Sequence, residues 1–178
     1  MKYKSYYTYK KLNDLLIFII MCLKPLGQVR NCLKRFCHAS KKTKLKVLFF
    51  GTDTFSVPTL CTLHKEFSDL NGTIDRIEAC SSPMKTLISP VKKTCDRLSI
   101  QLHDWPPDPT LCKSFDIGVV SSFGHLIPSR IISSFPKGML NVHGSLLPNY
   151  RGAAPIPFAI MNGDSKTGIT IMEVKPFQ

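Results

Sequence analysis

The chain has 178 residues, enough for one domain with a hydrophobic core, and its apolar content is ordinary for a soluble globular protein. Its net charge of +12 is uneven, because residues 1–44 carry +10 and residues 45–178 carry only +2. The basic balance is therefore weak support for nucleic-acid binding by the folded part. Seven scattered cysteines, without a Cys-x-x-Cys pair or zinc-type Cys/His spacing, favour free thiols and argue against disulfides and a metal site.

Residues 1–44 are predicted to form a basic, poorly ordered leader rather than part of the fold. Lys, Arg, Ser and Tyr are frequent, and Asp14 is the only acidic residue, which is typical of an organelle-targeting segment. The apolar run at residues 15–23 is too short to span a bilayer. It fits the apolar face of a mitochondrial presequence helix, which we favour, but also a secretory signal core or an uncleaved leader. The free cysteines argue against secretion.

The folded part is expected to start near Leu45 and to include residues 45–178. Residues 45–50 predict a strand that is buried on both faces. The following turn at residues 51–54 leads into an amphipathic helix, with Asp53 or Thr54 as its capping residue. Gly51 stands alone after the strand and is not part of a Gly-x-Gly-x-x-Gly fingerprint, which argues against a nicotinamide cofactor.

Strands and helical patterns alternate along the rest of the chain, which predicts an α/β fold with a doubly wound, mostly parallel sheet. Ligands bind such sheets beyond the carboxyl ends of the strands, so residues 123–128 and 141–148 are expected to share one rim with Gly51. The last strand alternates apolar and polar residues, which predicts an exposed or edge position. Strands are predicted at residues 74–80, 100–103, 116–123, 139–142 and 167–174, and helices at 91–98, 111–115 and 155–163.

Asn141 and His143 are the candidate chemical groups of the chain. They alternate with the apolar Leu140 and Val142 at a predicted strand end, so both side chains are expected on one face. An imidazole there can accept a proton, and an amide N–H can stabilise a developing oxyanion, as a group-transfer reaction requires. By spacing alone the pair is more often structural, with the amide as a strand-end cap and the imidazole as a core histidine.

The stretch that contains this pair resembles the signature of methionyl-tRNA formyltransferases. It reads Asn141-Val-His143-Gly-Ser-Leu-Leu-Pro148 and continues with Tyr150-Arg151-Gly-Ala-Ala-Pro155-Ile. The resemblance extends over about residues 45–175. It implies a Rossmann-like formyltransferase fold and transfer of a formyl group from 10-formyltetrahydrofolate to the α-amine of initiator methionyl-tRNA. It also implies a monomer that is located in the mitochondrial matrix, binds no metal ion and does not associate with a membrane.

The resemblance further implies a role for each motif residue. Asn141 and His143 are the expected catalytic residues, and two segments are expected to bind the folate. Arg151 is expected either to contact a tRNA phosphate or to serve a structural role. For the leucines of both segments, ordinary core packing is the alternative. The expected folate-binding residues are Phe123, Gly124, Leu126 and Ile127 in one segment, and Ser145, Leu146, Leu147 and Pro148 in the other.

Two departures from the family pattern bear on activity. The family has a third catalytic residue, an Asp in an Asp-x-Gly-type turn after the strand represented here by residues 169–174, and this chain stops before that turn. The family's C-terminal β-barrel domain is also absent, so we expect a truncated form. The short loop at residues 81–90 resembles the mitochondrial branch rather than the bacterial one.

Two alternative functions remain open from the sequence. One is a different folate-dependent formyltransferase, which acts on glycinamide ribonucleotide or on a sugar amine. The run from Arg151 to Pro155 favours the tRNA enzyme over the purine enzyme. The other alternative is a non-catalytic folate- or RNA-binding fragment, which the missing Asp favours.

Overall fold

The structure, a computed structural model, describes residues 8–9, 44–82 and 88–176. Most of the predicted leader, residues 1–7 and 10–43, therefore lies outside the described residues. The same is true of residues 83–87, which form the middle of the predicted short loop.

The described strands form one sheet with the order β1-β7-β6-β5-β2-β3-β4. The strands β2 to β6 all run parallel to their neighbours within that group, whereas β7 is antiparallel to both β6 and β1. This topology confirms the predicted doubly wound, mostly parallel sheet. The strands are β1 (Thr8–Tyr9), β2 (Leu45–Gly51), β3 (Ile74–Ser81), β4 (Leu102–Asp104), β5 (Ile117–Ser121), β6 (Met139–His143) and β7 (Ile169–Val174).

Helices cover both faces of the sheet and create two hydrophobic cores. One core contains residues of helices α1 and α2, and the other contains residues of α3 and α4. The helices are α1 (Ser56–Ser68), α2 (Pro90–Leu98), α3 (Pro109–Lys113), α4 (Ser129–Ile132) and α5 (Pro155–Met161).

Strand β2 lies at the centre and contributes to both cores. Val47 and Phe49 point into the core beneath α1 and α2, while Leu48 and Phe50 point into the core beneath α3 and α4. All four side chains are almost completely buried. A strand covered on both faces needs no polar alternation, which is why this segment is nearly continuously apolar.

The structure corrects the predicted position of the last strand. Strand β7 was expected at an exposed position or an edge, but it lies between β6 and β1, and Thr170 and Ile171 are buried. Glu173 near the end of β7 is exposed and forms an ion pair with Lys175, which lies just beyond the strand.

The structure also corrects the predicted helix cap after β2. Helix α1 begins at Ser56, and the residue before it is Phe55, whose side chain makes no capping bond. The Asp53 carboxylate nevertheless accepts a hydrogen bond from the Ser56 N–H at 3.2 Å. The same N–H also lies 3.1 Å from the Asp53 carbonyl oxygen, so Asp53 binds this amide of the first turn with both its side chain and its main chain.

Phe50→Ala is expected to destabilise the full chain by about 3–5 kcal/mol, because it removes a fully buried ring and leaves a cavity. Urea unfolding followed by circular dichroism measures this loss. Phe67→Ala is the matched control, because its ring is 42% exposed and its truncation should cost far less. Equal losses in the two variants would contradict the described core.

The buried thiols are expected to resist alkylation in the folded protein. Burial raises the pKa of Cys80 and Cys95 to about 12 and that of Cys112 to about 11. Because the thiolate is the reactive form, these cysteines should stay unmodified by iodoacetamide at pH 8, whereas the partly exposed Cys61 reacts. Peptide mapping by mass spectrometry reads this out, and the same labelling in denaturant should modify all four.

These raised pKa values also predict how stability depends on pH. The folded state favours the protonated thiols, so their contribution is fully present below the ordinary thiol pKa of 9.0. It is lost as the pH rises from there towards about 12. Urea midpoints should therefore fall over this alkaline window, and less so when Cys80 and Cys95 are both replaced by Ala.

Candidate active site

The carboxyl ends of the central strands β2, β5 and β6 meet at one edge of the sheet. The chain adds β3 and β4 on one side of β2 and then returns to add β5 and β6 on the other side. The reversal creates a topological switch point between β2 and β5, which is where open α/β sheets bind ligands.

Hydrogen bonds tie the turn after β2 to the end of β5 at this switch point. The Thr52 hydroxyl donates to the Phe123 carbonyl at 3.0 Å, and the Ser56 hydroxyl donates to the Ser121 carbonyl at 2.8 Å. Among the described residues, the Ser121 hydroxyl is the one buried side-chain polar atom without a hydrogen-bond partner. The two loops therefore form a connected edge beside β6.

Asn141 and His143 lie on the same face of β6, as their spacing predicts. Met139 on that face packs into the core beneath α3 and α4, whereas Val142 points to the opposite core. Asn141 and His143 are both partly buried, so neither side chain is closed off in the interior. The Asn141 amide forms no hydrogen bond with any residue that the structure describes.

The His143 ring contacts the main chain of the loop that follows. Its Nε2 lies 3.0 Å from the Tyr150 carbonyl oxygen. A carbonyl oxygen can only accept, so Nε2 must carry the hydrogen of this bond. In the neutral ring the other nitrogen, Nδ1, is then the basic atom, and it makes no hydrogen bond within the described part of the chain.

Thr170 on strand β7 holds the loop after β6 in place. Its hydroxyl donates to the Ser145 carbonyl at 2.7 Å and accepts from the Leu147 N–H at 3.1 Å. The Ser145 hydroxyl donates in turn to the Asn149 carbonyl at 2.7 Å. Thr170 is buried opposite His143 in the strand pairing, so β7 supports the loop from within the sheet.

The predicted folate-binding residues of this loop differ in exposure. Ser145 is completely buried and its hydroxyl is engaged. Leu146 and Leu147 are half-buried, and Pro148 is exposed after a cis peptide bond. A folate contact from Ser145 would therefore involve its main chain, while the next three residues offer side-chain surface.

The residues of the other predicted folate-binding segment, 123–127, also differ in exposure. Phe123 and Ile127 are buried in the core, where the Phe123 ring packs edge-on against Trp105 at 4.9 Å between centroids. Gly124 is exposed with a φ of 77°, and Leu126 is 74% exposed. Gly124 and Leu126 are thus the members of this segment that a ligand can reach directly.

Arg151 is exposed in the loop of residues 144–154, which we call the signature loop. Within the described ranges, no cluster of three or more His, Cys, Asp or Glu side chains could hold a metal ion. None of the described helices is long and apolar enough to cross a membrane.

Tyr150 and Asp164 were missed as site residues by sequence reasoning. The Tyr150 hydroxyl donates to the Asp164 carboxylate at 2.7 Å and accepts from the Asn162 amide at 3.1 Å. The bond to Asp164 raises the pKa of Tyr150, although the bond from Asn162 opposes that shift. Asp164 lies in the turn that ends α5, and its N–H donates to the Ala159 carbonyl at 3.0 Å. No local pattern pairs the phenol with this carboxylate, because 14 residues separate them.

Comparison with known proteins agrees with the resemblance read from the sequence. The family profile described as Formyl transferase matches residues 111–176, which include β5, β6, β7 and the signature loop. This matched segment belongs to the formyl transferase family. The mitochondrial methionyl-tRNA formyltransferase of Rattus norvegicus is 37% identical over 157 residues, which are 87% of this chain and 40% of that protein.

Bacterial relatives match as well. The methionyl-tRNA formyltransferase of Afipia carboxidovorans is 35% identical over 138 residues, which cover 73% of this chain and 44% of the relative. The chain thus spans about two fifths of the length of the curated relatives it matches.

Solved structures support the family fold. The phosphoribosylglycinamide formyltransferase of Anaplasma phagocytophilum superposes with a TM-score of 0.60 at 20% sequence identity. The aligned region covers 75% of this chain and 66% of that one. At this identity the similarity establishes the Rossmann-like formyltransferase fold and nothing about the substrate.

Thr170→Val is expected to destabilise the protein by about 2 kcal/mol, because it leaves the Ser145 carbonyl and the Leu147 N–H without their partner. Urea unfolding measures the loss, and hydrogen exchange at the Leu147 amide should accelerate. Thr170→Ser keeps the hydroxyl and should preserve the slow exchange at Leu147. Equal exchange rates in both variants would contradict the role of Thr170.

Proposed function

We propose that this chain carries the catalytic domain of a mitochondrial methionyl-tRNA formyltransferase. In this proposal residues 45–178 form the formyl transferase domain and residues 1–44 the targeting leader, of which Thr8–Tyr9 add the short strand β1 to the sheet beside β7. The reaction moves a formyl group from 10-formyltetrahydrofolate to the α-amine of initiator methionyl-tRNA in the mitochondrial matrix. The main support is the position of the partly buried Asn141 amide and His143 imidazole. Both lie on one face of β6, at the carboxyl edge of the sheet and within the segment that matches the formyl transferase profile.

The chemistry assigned to Asn141 follows from its free hydrogen-bonding capacity. 10-Formyltetrahydrofolate supplies a formyl carbon that the amine of methionyl-tRNA attacks. As the new C–N bond forms, negative charge develops on the formyl oxygen, and the Asn141 amide donates an N–H to it. No described residue competes for that amide, so no protein hydrogen bond has to break first.

His143 moves the proton that this reaction releases. The attacking amine becomes cationic when the C–N bond forms, and His143 accepts its proton at Nδ1, because Nε2 already donates to Tyr150. The proton then passes to the folate nitrogen as its bond to the formyl carbon breaks. An imidazole nitrogen can both accept and release a proton, so the same atom serves both transfers.

The exposed and half-buried residues beside this pair suit a planar, hydrogen-bonding folate. A Cβ atom added at Gly124 would meet no other atom within 4 Å, so the main chain is open there. Leu126, Leu146 and Leu147 offer apolar surface, and Pro148 borders it. Apolar walls with a few polar groups are what such ligands bind, which supports the assignment of these segments to the donor.

The proposed acceptor is initiator methionyl-tRNA, bound by a monomer with Arg151 close to its phosphates. The identity to mitochondrial methionyl-tRNA formyltransferases supports this choice of acceptor and compartment.

Asn141→Ala is expected to lower the formylation rate about 100- to 1000-fold, because it removes the oxyanion donor. His143→Ala is expected to lower it about 100- to 10,000-fold through loss of the proton acceptor. The assay incubates the full chain with 10-formyltetrahydrofolate and methionyl-tRNA and quantifies formylmethionine. His64→Ala and Asn71→Ala are the matched controls, since both residues lie away from this edge.

Parallel assays with glycinamide ribonucleotide and with an amino sugar separate the proposal from its alternatives. Turnover of methionyl-tRNA alone supports it, while turnover of either other acceptor would replace the tRNA assignment. Folate binding without turnover of any acceptor would leave a non-catalytic domain and contradict the proposed activity.

A further inference from the structure

Tyr150 connects the candidate base to the end of helix α5, although the proposed reaction assigns its phenol no proton transfer. Its main-chain oxygen lies 3.0 Å from His143 Nε2. Its hydroxyl lies 2.7 Å from the Asp164 carboxylate and 3.1 Å from the Asn162 amide. One residue thus holds the imidazole with its backbone and the helix-ending turn with its side chain.

The backbone of Tyr150 adopts a conformation that needs external support. Its φ of 53° lies in the left-handed region, which costs free energy for a residue other than glycine. Such a conformation persists when surrounding contacts over-determine it. The two hydrogen bonds of the phenol are contacts of this kind, because they anchor the side chain to the turn after α5.

We propose that Tyr150 is a positioning residue for His143: anchored by Asp164 and Asn162, it aims its carbonyl at Nε2 and thereby leaves Nδ1 as the proton acceptor. The assignment of a carbonyl partner to Nε2 selects one tautomer, because the carbonyl cannot donate. A backbone carbonyl commonly orients histidine in this way by bonding one ring nitrogen and freeing the other.

No described carboxylate lies within hydrogen-bonding distance of His143 itself. Asp164 reaches the imidazole indirectly, through the phenol and the backbone of Tyr150. The inference rests on the proposed function in one respect, namely that Nδ1 accepts the proton of the attacking amine. The anchored tautomer is a property of the free protein and can be measured without donor or acceptor.

The test uses the full chain with ¹⁵N-labelled histidine, and the His143 signals are assigned by their loss in His143→Gln. In wild type we expect the neutral form of the ring to have a pyridine-type Nδ1 and a pyrrole-type Nε2, with an Nε2 proton protected from solvent exchange. Tyr150→Phe and Asp164→Ala each break the anchor from one end and should accelerate that exchange about tenfold. Asp164→Asn keeps an acceptor oxygen for the phenol and should retain the wild-type rate.

Three results would overturn the proposal. They are an Nδ1–H tautomer in wild type, an Nε2 proton that exchanges as fast as in free histidine, and unchanged exchange in both anchor variants. Circular dichroism establishes that each variant is folded, as we expect because the phenol and its partners belong to neither hydrophobic core. If the chain formylated no acceptor, the proposed function would be wrong. The exchange measurement would still decide whether Tyr150 positions His143.

Discussion

The candidate site depends on the parallel alignment of β2, β5 and β6, because it brings their carboxyl ends to one edge of the sheet. That alignment requires both faces of β2 to be covered by helices, and its residues Val47 to Phe50 are accordingly apolar on both sides. Once the strands are aligned, Asn141 and His143 emerge at the edge on one face. The position of Asn141 and His143 therefore depends on the burial of β2, although β2 itself contributes no candidate catalytic residue.

Hydrogen bonds around the signature loop convert that edge into a defined geometry. Thr170 on the antiparallel strand β7 binds the loop through Ser145 and Leu147, and Tyr150 closes it onto His143. The loop is thus held from the sheet on one side and from the end of α5 on the other. In the proposed mechanism His143 accepts a proton, which requires a constant orientation, and supports of this kind limit the rotation of the imidazole.

Much of the fold and part of the site were predictable from local patterns. Alternating strands and helices predicted the doubly wound sheet, and the two-residue spacing of Asn141 and His143 predicted their common face. The position of β7 was not predictable, because alternation describes which residues are buried and not which strand is the neighbour. The exposure of Leu126 and the burial of Phe123 and Ile127 likewise depended on packing against other segments.

The amino-acid sequence by itself determined the family, the fold class and the identity of the amide–imidazole pair, since these are written in contiguous residues and their periodicity. Only the tertiary structure decided which ring nitrogen of His143 is free, because the partner of the other is a main-chain carbonyl, and every residue has one. It also decided that Asp164 reaches the site through Tyr150. Side-chain chemistry can be read along a chain, whereas the direction of a backbone group depends on how distant segments fold against it.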